Sequence, residues 1–527
     1  MPTTLTLPKT YSGSTHQRTV RLNQPTRQAP KKKRRRNNNA LGLLLLACCA
    51  NLLGCAQSTT ESTALLADKG TVFEEAMVSV SGQRQSPPNI VIFLADDMTW
   101  HDVGVYRRLA TSLPGAVSTP NIDQLANEGV VFERAFTATA MCSVARHQIY
   151  TGLYPVRNGG YGNHSRVYQD TKSIVSYFSE YGYEVALAGK SHVYPRHVFP
   201  FKKAGHENKG AAGETTFGIE KTRAFLDDIG ERPFVLIVAS SNPHIPWNRG
   251  KTKSYPLASI TVPPYLRDSP RLRARLSAYL AEVSELDREV GLIDDELDKR
   301  GLTDNTIFVF SSEHGSDLPF GKWTAYDAGV KVALVVRWPN KISPGISSAI
   351  VESVDLLPTL MELSLNTVPK GLDGRSFAAL LKGATDTHKQ FAVGMQTRKN
   401  IHNGVPYPIR WVRTERYKLI ENLLPQTRFS SFTTVSKWFQ QELADEVTAG
   451  TDRYLSYLQR PRFEFYDLER DPFELLNLVG QLNASQTIEL ERMQTHLYQW
   501  MREQNDQGVQ TEMAVCQRKG FSHRGCP

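Results

Sequence analysis

Short apolar runs recur along this chain, and the intervals between them leave room for a helix. Five of these runs span residues 90–95, 185–188, 234–239, 307–310 and 332–336. Runs this short and rich in Val and Ile are typical of strands that are buried on both faces of a sheet. Parallel strands need a long crossover connection, which is usually a helix. The spacing therefore predicts an α/β fold with a mostly parallel sheet and helices on both of its faces.

Helical patterns occupy some of the intervals. Pro120 follows Thr119 at the start of residues 121–128, and Gly129 follows their end. Pro just inside the start and Gly just past the end are typical of a helix. A longer segment, residues 271–300, carries apolar side chains at helical spacing, which we interpret as core. They are Leu276, Leu280, Val283, Leu286, Val290 and Ile293.

The sequence changes character after about residue 380. Aromatic and charged residues alternate at 411–420 and 463–468, and Asp471-Pro472 indicates a turn. Alternation of this kind is typical of antiparallel strands with one buried face. A last helix is predicted near residues 485–504. We therefore predict a larger domain at 89–380 and a smaller C-terminal α+β domain at 381–527, built on an antiparallel sheet.

The net charge of +9 at pH 7 comes from one end of the chain. Residues 1–39 contain ten of the 62 Lys and Arg residues and no acid, which leaves 52 cations against 53 acids in the rest. The location of the charge, outside a folded part that is close to neutral, argues against a nucleic-acid-binding protein. We therefore expect no nucleic acid partner and assign the basic run to targeting.

The basic run precedes an apolar stretch, residues 40–54, that is too short to span a bilayer comfortably. This order indicates a signal peptide. Leu52-Leu53-Gly54-Cys55 closes the stretch and resembles the lipobox of bacterial lipoproteins, in which the Cys receives lipid and becomes the mature N-terminus. We expect a signal peptide at 1–55, a lipid anchor to the membrane at Cys55, a tether at 56–88, and export to the bacterial cell envelope, in the periplasm or at the outer membrane. Simple secretion with Cys55 removed is the alternative.

Cysteine usage singles out one residue. Six cysteines are present, and three of them lie beyond Cys55. In an oxidising compartment Cys516 and Cys526 could form a disulfide, which would leave Cys142 as the odd cysteine. A small buried apolar residue is one interpretation of Cys142, and chemical conversion of its thiol is another.

Four of the apolar runs end in polar clusters. They are Asp96-Asp97, Lys190-Ser191-His192, Asn242-Pro243-His244 and Glu313-His314-Gly315. Ligands of open α/β sheets bind beyond the carboxyl ends of the strands, so we expect the four clusters to converge on one crevice. An isolated Asp-Asp pair is more often a turn or a helix cap. At a buried strand end, however, adjacent carboxylates repel each other and favour a hard cation such as Ca²⁺ or Mg²⁺.

Cys142 begins a pattern that resembles a known signature. Cys142-Ser143-Val144-Ala145-Arg146 precedes Thr151-Gly152 and lies downstream of Asp96-Asp97. Together these motifs resemble those of the type I sulfatases, whose cysteine is oxidised to formylglycine. The resemblance implies an alkaline-phosphatase-like fold, a catalytic domain at 89–380, a formylglycine-generating maturation enzyme as a partner, and hydrolysis of sulfate from a sulfated glycan substrate.

The resemblance also implies the roles of the site residues. It assigns Ca²⁺ binding to Asp96, Asp97, Glu313, His314 and an oxygen of residue 142 in place of the Cys142 sulfur. It assigns sulfate binding and proton transfer to Lys190, His192, His244 and Lys322. In this scheme hydrated formylglycine attacks sulfur and Arg146 steadies the diol, while His244 protonates the leaving group. His192 takes a proton as the sulfated intermediate collapses.

Toward the C-terminus the resemblance narrows to one branch of the family. Tyr407-Pro408-Ile409-Arg410, residues 416–423 and Asp471-Pro472-Phe473-Glu474 are similar to the heparan N-sulfatases, or sulfamidases, which implies N-sulfoglucosamine as the leading substrate. Residues 396–402 depart from the pocket expected of that branch.

Two further positions depart from the family pattern. Val144 stands where Pro is usual, and Glu313 stands where Asp is usual. These departures support an alternative, a non-catalytic sulfatase-like lipoprotein that binds anionic glycans. A phosphate or phosphonate ester hydrolase of the same superfamily is the third hypothesis.

Overall fold

The computed structural model describes residues 86–109, 117–207, 214–397 and 406–514. The predicted signal peptide, Cys55 and the tether through residue 85 lie outside the described residues, as do Cys516 and Cys526. Within the described ranges, Cys142 is buried and forms no disulfide. No helix in those ranges is long and apolar enough to cross a membrane.

A nine-stranded sheet dominates the described part of the chain. Its strands are β1 (Asn89–Ala95), β2 (Val130–Phe136), β3 (Glu184–Gly189), β4 (Lys202–Lys203), β5 (Phe234–Ala239), β6 (Thr306–Ser312), β7 (Lys331–Val332), β8 (Leu334–Arg337) and β9 (Gly345–Glu352). Their order is β4-β3-β5-β1-β6-β8-β2-β7, and β9 pairs with β2. The central strands β3, β5, β1 and β6 run parallel to one another. The predicted mostly parallel sheet is confirmed, and four of the five predicted runs form these central strands.

Helices of the described chain pack against the strands of both sheets. In chain order they are α1 (Gly104–Leu109), α2 (Pro120–Asn127), α3 (Cys142–Thr151), α4 (Pro155–Asn158), α5 (Ile174–Ser179), α6 (Ile219–Asp228), α7 (Pro270–Asp298), α8 (Asp327–Val330), α9 (Leu356–Leu365), α10 (Ala378–Leu381), α11 (Phe432–Val435), α12 (Lys437–Ala449), α13 (Arg453–Leu458), α14 (Ala484–Glu503) and α15 (Val509–Ala514). The helices predicted at 121–128, 271–300 and 485–504 are α2, α7 and α14.

Two apolar cores lie on opposite faces of the large sheet. Successive residues of a strand point to opposite faces. Val91 and Phe93 of β1 accordingly pack in one core, which contains most of the buried face of α7, while Ile90 and Ile92 pack in the other, which contains α9. Because both faces are covered, the central strands are apolar throughout, which is why they were visible in the sequence.

The fifth predicted run, residues 332–336, is not a single strand. It is divided between β7 and β8, which pair antiparallel with β2, and β8 also pairs antiparallel with β6. The sequence analysis also missed β2 and β9, which are parallel to each other. β2 carries Glu133 and Arg134 at partly buried positions, and β9 begins with exposed residues. Neither strand therefore shows a continuous apolar run.

A second sheet follows the first along the described chain. Its antiparallel strands, in spatial order, are β10 (Ala392–Gln396), β11 (Ile409–Arg413), β12 (Tyr417–Asn422) and β13 (Phe463–Asp467). Met493 and Leu497 of α14 share a core with Val412, Leu419 and Phe465 of this sheet. The predicted antiparallel sheet is confirmed, and the domain boundary at residue 380 stays a prediction.

Candidate active site

The four predicted clusters follow strands whose carboxyl ends lie at one edge of the large sheet. Backbone hydrogen bonds extend the strand pairing into these loops. Asp96 N–H donates to Asn242 O at 3.0 Å, and Glu313 N–H donates to Ala95 O at 3.1 Å. Since the central strands are parallel, their polar ends meet on the same side of the sheet, where α/β proteins place their ligands.

Cys142 is the first residue of α3, and its thiol is buried at this edge. Its Sγ lies 3.7 Å from Asp97 Oδ1 and 3.4 Å from His314 Nε2. Burial would raise the pKa of the thiol, but the charges of Lys190 and Lys322 lower it to about 6. A helix start also favours an anion, because its first backbone N–H groups lack partners within the helix. These surroundings are those of a reactive cysteine and differ from those of an inert core residue.

A lysine neutralises each of the two adjacent aspartates. Lys190 forms an ion pair with Asp96, and Lys322 Nζ lies 2.7 Å from both carboxylate oxygens of Asp97. Burial would raise the pKa of both carboxyls, but the lysines outweigh it and hold both pKa values below the usual range. Asp97 also has a φ of 64°. Such strain costs about 1–3 kcal/mol in a residue other than glycine and is concentrated at functional sites.

Arg146 and Glu313 form a third pair of opposite charges, and both side chains are fully buried. Arg146 Nε lies 2.5 Å from Glu313 Oε2, and Arg146 Nη1 donates to the backbone oxygen of Lys190 at 2.8 Å. Burial raises the pKa of the Glu313 carboxyl to about 8 in spite of Arg146. Beside it, His314 donates from Nδ1 to Gly315 O at 2.9 Å. Its Nε2 is thereby directed at Glu313 Oε1, 3.3 Å away.

Asp96 Oδ1 is a buried carboxylate oxygen at this edge that has no hydrogen-bond partner. The Glu313 oxygens lie in ion-pair contact with Arg146 Nε and His314 Nε2. Leaving a buried polar atom unpaired costs about 1–3 kcal/mol, which a cation among these oxygens would offset. Ligand atoms within 4.8 Å of one another come from two overlapping sets, Asp96, Asp97, Cys142 and His244, and Asp97, Cys142, Glu313 and His314. Their oxygen-rich chemistry fits Ca²⁺ or Mg²⁺.

Ion pairs bring acidic and basic side chains together in the site. Three carboxylates pair with three cations in the pairs Asp96–Lys190, Asp97–Lys322 and Glu313–Arg146. A divalent cation bound among the carboxylates would add positive charge to a site that already contains Lys190, Lys322 and Arg146. Lysine and arginine side chains suit the oxygens of tetrahedral anions. The arrangement can thus hold a sulfate group next to residue 142.

Two histidines at this edge have opposite tendencies to hold a proton. His244 donates from Nδ1 to Ile245 O at 2.7 Å, and its Nε2 lies 3.6 Å from Asp97 Oδ2. Burial would lower the pKa of His244, but Asp97 outweighs it and raises the pKa above the usual value. For His192, burial and then the charge of Lys190 hold the pKa well below the usual value. His244 is therefore suited to donate a proton and His192 to accept one.

His164 is a site residue that the sequence analysis missed. It lies between α4 and α5, and its Nδ1 is 2.6 Å from His192 Nε2. No motif marked this position, because the contact depends on how a loop folds back on the end of β3. The predicted residues from Asp96 to Lys322 otherwise lie together at one sheet edge, and the roles assigned to them stay predictions.

Gln396 supports the segment that precedes the reactive cysteine. It ends β10, is buried, and accepts at Oε1 from Thr139 Oγ1 at 3.1 Å and from Ala140 N–H at 3.2 Å. The strand of the second sheet thereby helps to set the position of Cys142. The rest of the divergent segment at 396–402, from residue 398 on, lies outside the described residues.

Comparisons with known proteins give the family. The model described as Sulfatase matches residues 88–366, and the model described as N-sulphoglucosamine sulphohydrolase, C-terminal, matches residues 312–433. An ulvan-active sulfatase of Formosa agariphila is 32% identical over 478 residues, 86% of this chain and 88% of the relative. Human N-sulphoglucosamine sulphohydrolase is 30% identical over 468 residues, 79% of this chain and 91% of the relative.

A similar solved structure was determined in complex with its substrate, D-glucosamine-2-N,6-O-disulfate. It superposes with a TM-score of 0.60 at 19% identity, covering 80% of this chain and 99% of that chain. This likeness confirms the predicted alkaline-phosphatase-like fold. The family match spans the strand ends that carry Asp96 and Glu313 as well as α3, and it favours a sulfuric ester over a phosphate or phosphonate ester as the bond that is broken. The chain belongs to the sulfatase family and is a sulfuric ester hydrolase.

Proposed function

We propose that this sulfatase acts on sulfated glycans, with N-sulfoglucosamine as the leading substrate, and uses a formylglycine made from Cys142 together with one Ca²⁺. The observation that carries the proposal is the convergence of Cys142, the Asp96–Lys190 pair and Lys322 at the carboxyl edge of the parallel sheet. Incubating the purified protein with N-sulfoglucosamine and measuring free sulfate tests it directly. No release of sulfate, with formylglycine and Ca²⁺ both present, would contradict the substrate.

The choice of N-sulfoglucosamine is supported by the C-terminal half of the chain. Residues 312–433 match the C-terminal model named for the N-sulphoglucosamine enzyme, and the human relative carries the same name. A sulfated polysaccharide such as ulvan is the second candidate, because the relative from Formosa agariphila is described as ulvan-active. Release of sulfate from only one of the two substrates would decide between them.

The residues of the site have different roles in the proposed reaction. A bound Ca²⁺ would act as a Lewis acid that offsets charge developing on the sulfate oxygens. Lys190 and Lys322, whose Nζ atoms face the carboxylates beside Cys142, are placed to hold those oxygens as well. His244, with Nδ1 held by Ile245 O, presents Nε2 to protonate the leaving group. His192, which stays neutral, accepts a proton.

The first prediction concerns the nucleophile. In protein made in the native host, we expect the peptide containing Cys142 to carry formylglycine, because Cys142, Arg146 and Thr151-Gly152 match the modification signal. Mass spectrometry of the digested protein measures it. An unmodified thiol throughout would favour the alternative of a non-catalytic glycan-binding protein. A Cys142→Ala variant provides the matched negative control.

A second prediction tests the departure at Val144. Val144→Pro is expected to raise the formylglycine fraction if maturation of the native sequence is incomplete, because it restores the usual signal. Val144 lies in the first turn of α3, where a proline is tolerated since backbone N–H groups there lack partners within the helix. The mass of the same peptide reports the result. A fall in the modified fraction would show that Val144 is the better residue here.

A third prediction concerns Glu313. Arg146 holds the Glu313 carboxylate at 2.5 Å and competes with an ion for it. Glu313→Asp shortens the side chain by one methylene and draws the carboxylate away from Arg146, so we expect tighter Ca²⁺ binding. Calorimetric titration of Ca²⁺ into the metal-depleted protein measures the affinity, and Glu313→Gln, which keeps the length but loses the charge, is the control. Weaker binding by the aspartate variant would show that the site needs the longer side chain.

Export and lipid anchoring complete the proposal. We propose a lipoprotein of the bacterial cell envelope, supported by the basic run, the apolar stretch at 40–54 and the Leu52-Leu53-Gly54-Cys55 box. Replacing Cys55 with serine is the direct test. The variant is expected to lose the lipid label and leave the membrane fraction.

A further inference from the structure

His192 and His164 form a pair of imidazoles at the edge of the active site. His192 Nε2 lies 2.6 Å from His164 Nδ1, and the ring centroids are 4.5 Å apart with 47° between the ring planes. Both residues have positive φ, 50° for His192 and 62° for His164. Such conformations cost about 1–3 kcal/mol each and persist where surrounding contacts hold them. The pair is therefore held in place by its backbone as well as by the hydrogen bond.

The loop that carries His164 is attached to the residue next to Cys142. His164 N–H donates to Ser143 Oγ at 2.7 Å, and Ser143 Oγ donates to Asn163 Oδ1 at 3.1 Å. Ser143 is the second residue of α3, so the position of the His164 ring depends on the helix that presents residue 142. The position of this loop therefore depends on that of residue 142, although the loop supplies none of the predicted catalytic groups.

The surroundings of His192 decide which of its nitrogens carries the proton. Burial, Lys190 and Arg146 keep this imidazole neutral, with Lys322 acting in the same direction and Asp96 against them. A neutral imidazole has one N–H donor and one acceptor nitrogen. His192 Nδ1 is buried and has no hydrogen-bond partner. A proton on Nδ1 would create a buried N–H donor without an acceptor. The positive charges of Lys190 and Arg146 also disfavour an N–H there and favour a lone pair.

The proton of His192 therefore belongs on Nε2, where His164 Nδ1 can accept it. The hydrogen bond of one ring nitrogen sets the state of the other, as is general for histidine. With the proton on Nε2, His192 Nδ1 keeps its lone pair, which the positive charges of Lys190 and Arg146 favour.

We propose that His164 is a positioning residue of this enzyme: its Nδ1 accepts the His192 Nε2–H and so holds His192 as the tautomer whose Nδ1 accepts the proton in the reaction. The inference rests on the proposed function, in which His192 accepts a proton. The hydrogen bond to His164 explains why Nδ1 is the nitrogen that is free to accept it. The inference adds a residue from the loop after α4 to a site that contains strand ends, α3 and Lys322 of the loop after β6.

Nitrogen-15 NMR of the full-length protein, labelled at histidine, tests the tautomer without any turnover. The His192 signals are assigned by their absence in His192→Gln. In the native protein, neutral His192 is expected to carry its proton on Nε2. His164→Ala should abolish that preference, and His164→Asn, whose Oδ1 can accept the same hydrogen bond, should restore it. Protonation on Nδ1 in the native protein overturns the proposal.

Steady-state kinetics provide the second readout. We expect kcat to fall about 10- to 100-fold in His164→Ala with KM little changed, as for other residues that orient a reacting group. His164→Asn should recover most of the loss. His197→Ala is the matched control, since it removes another exposed histidine, one whose Nε2 contacts Gln169 O at 3.2 Å. Equal losses in the alanine and asparagine variants would overturn the positioning role.

The two readouts separate this inference from the proposed function. If the native protein shows the Nε2 tautomer and its dependence on His164 but releases no sulfate from any glycan, the substrate assignment fails while the pairing stands. If the protein is an active sulfatase but His192 is protonated on Nδ1, the function stands and the inference fails.

Discussion

Replacing Asp96 with asparagine is expected to remove the bound Ca²⁺ and the sulfatase activity together while the fold survives. Asp96 Oδ1 is buried without a hydrogen-bond partner, which marks it as an oxygen available to a cation. Asparagine keeps the shape and one carbonyl oxygen but loses the negative charge that attracts a divalent cation. Because the ion supplies several kcal/mol of charge stabilisation, we expect kcat to fall about 1000-fold or more.

Metal analysis of the purified protein and circular dichroism measure the two halves of this prediction. One Ca²⁺ per chain is expected in the native protein, none in Asp96→Asn, and the same far-ultraviolet spectrum in both. Asp228→Asn, which removes an exposed carboxylate of α6, is the control and should keep the ion. Absence of a stoichiometric divalent ion from folded, active native protein would exclude the metal-dependent mechanism.

The strand ends of the site could be predicted from the sequence because each follows a strand that is buried on both faces. Asp96, Lys190 and Glu313 come directly after runs whose apolar character comes from the two cores on either side of the sheet. Once these runs are taken as parallel strands, the meeting of their carboxyl ends follows from sheet geometry. The same argument failed at residues 332–336, because β7 has only two residues and β8 runs antiparallel to its neighbours β2 and β6.

The contacts between side chains could not be predicted in this way. Arg146 pairs with Glu313 across 167 positions of sequence, and His164 reaches His192 from a loop without a motif. Both contacts depend on the packing of α3 and of the loop after α4 against the sheet edge. Comparison with the family pattern identified Glu313 as a departure from the usual Asp. Only the structure shows that its longer side chain reaches Arg146.

The second large effect is expected at His244, where removing the side chain should separate substrates by their leaving groups. The Nδ1 of His244 donates to Ile245 O, so the proton available for the leaving group is on Nε2, the nitrogen that lies 3.6 Å from Asp97 Oδ2. A glycan amine or alkoxide is a poor leaving group that must be protonated as its bond to sulfur breaks. General acid catalysis contributes about 10²- to 10⁴-fold to such steps. We expect His244→Ala to slow glycan substrates by that factor.

An aryl sulfate is the informative comparison for this variant. Its phenolate leaves without a proton, so His244→Ala should change its turnover little, and the ratio of the two rates measures the acid role independently of the amount of active protein. Equal slowing of both substrates would mean that His244 binds the sulfate group instead. N-sulfated and O-sulfated glucosamine, compared in the native protein, then test the branch, because both need the same acid and differ only in the atom that leaves. Turnover of the N-sulfate alone supports the sulfamidase assignment, whereas turnover of the O-sulfate alone keeps the sulfatase and the acid role of His244 and removes that assignment.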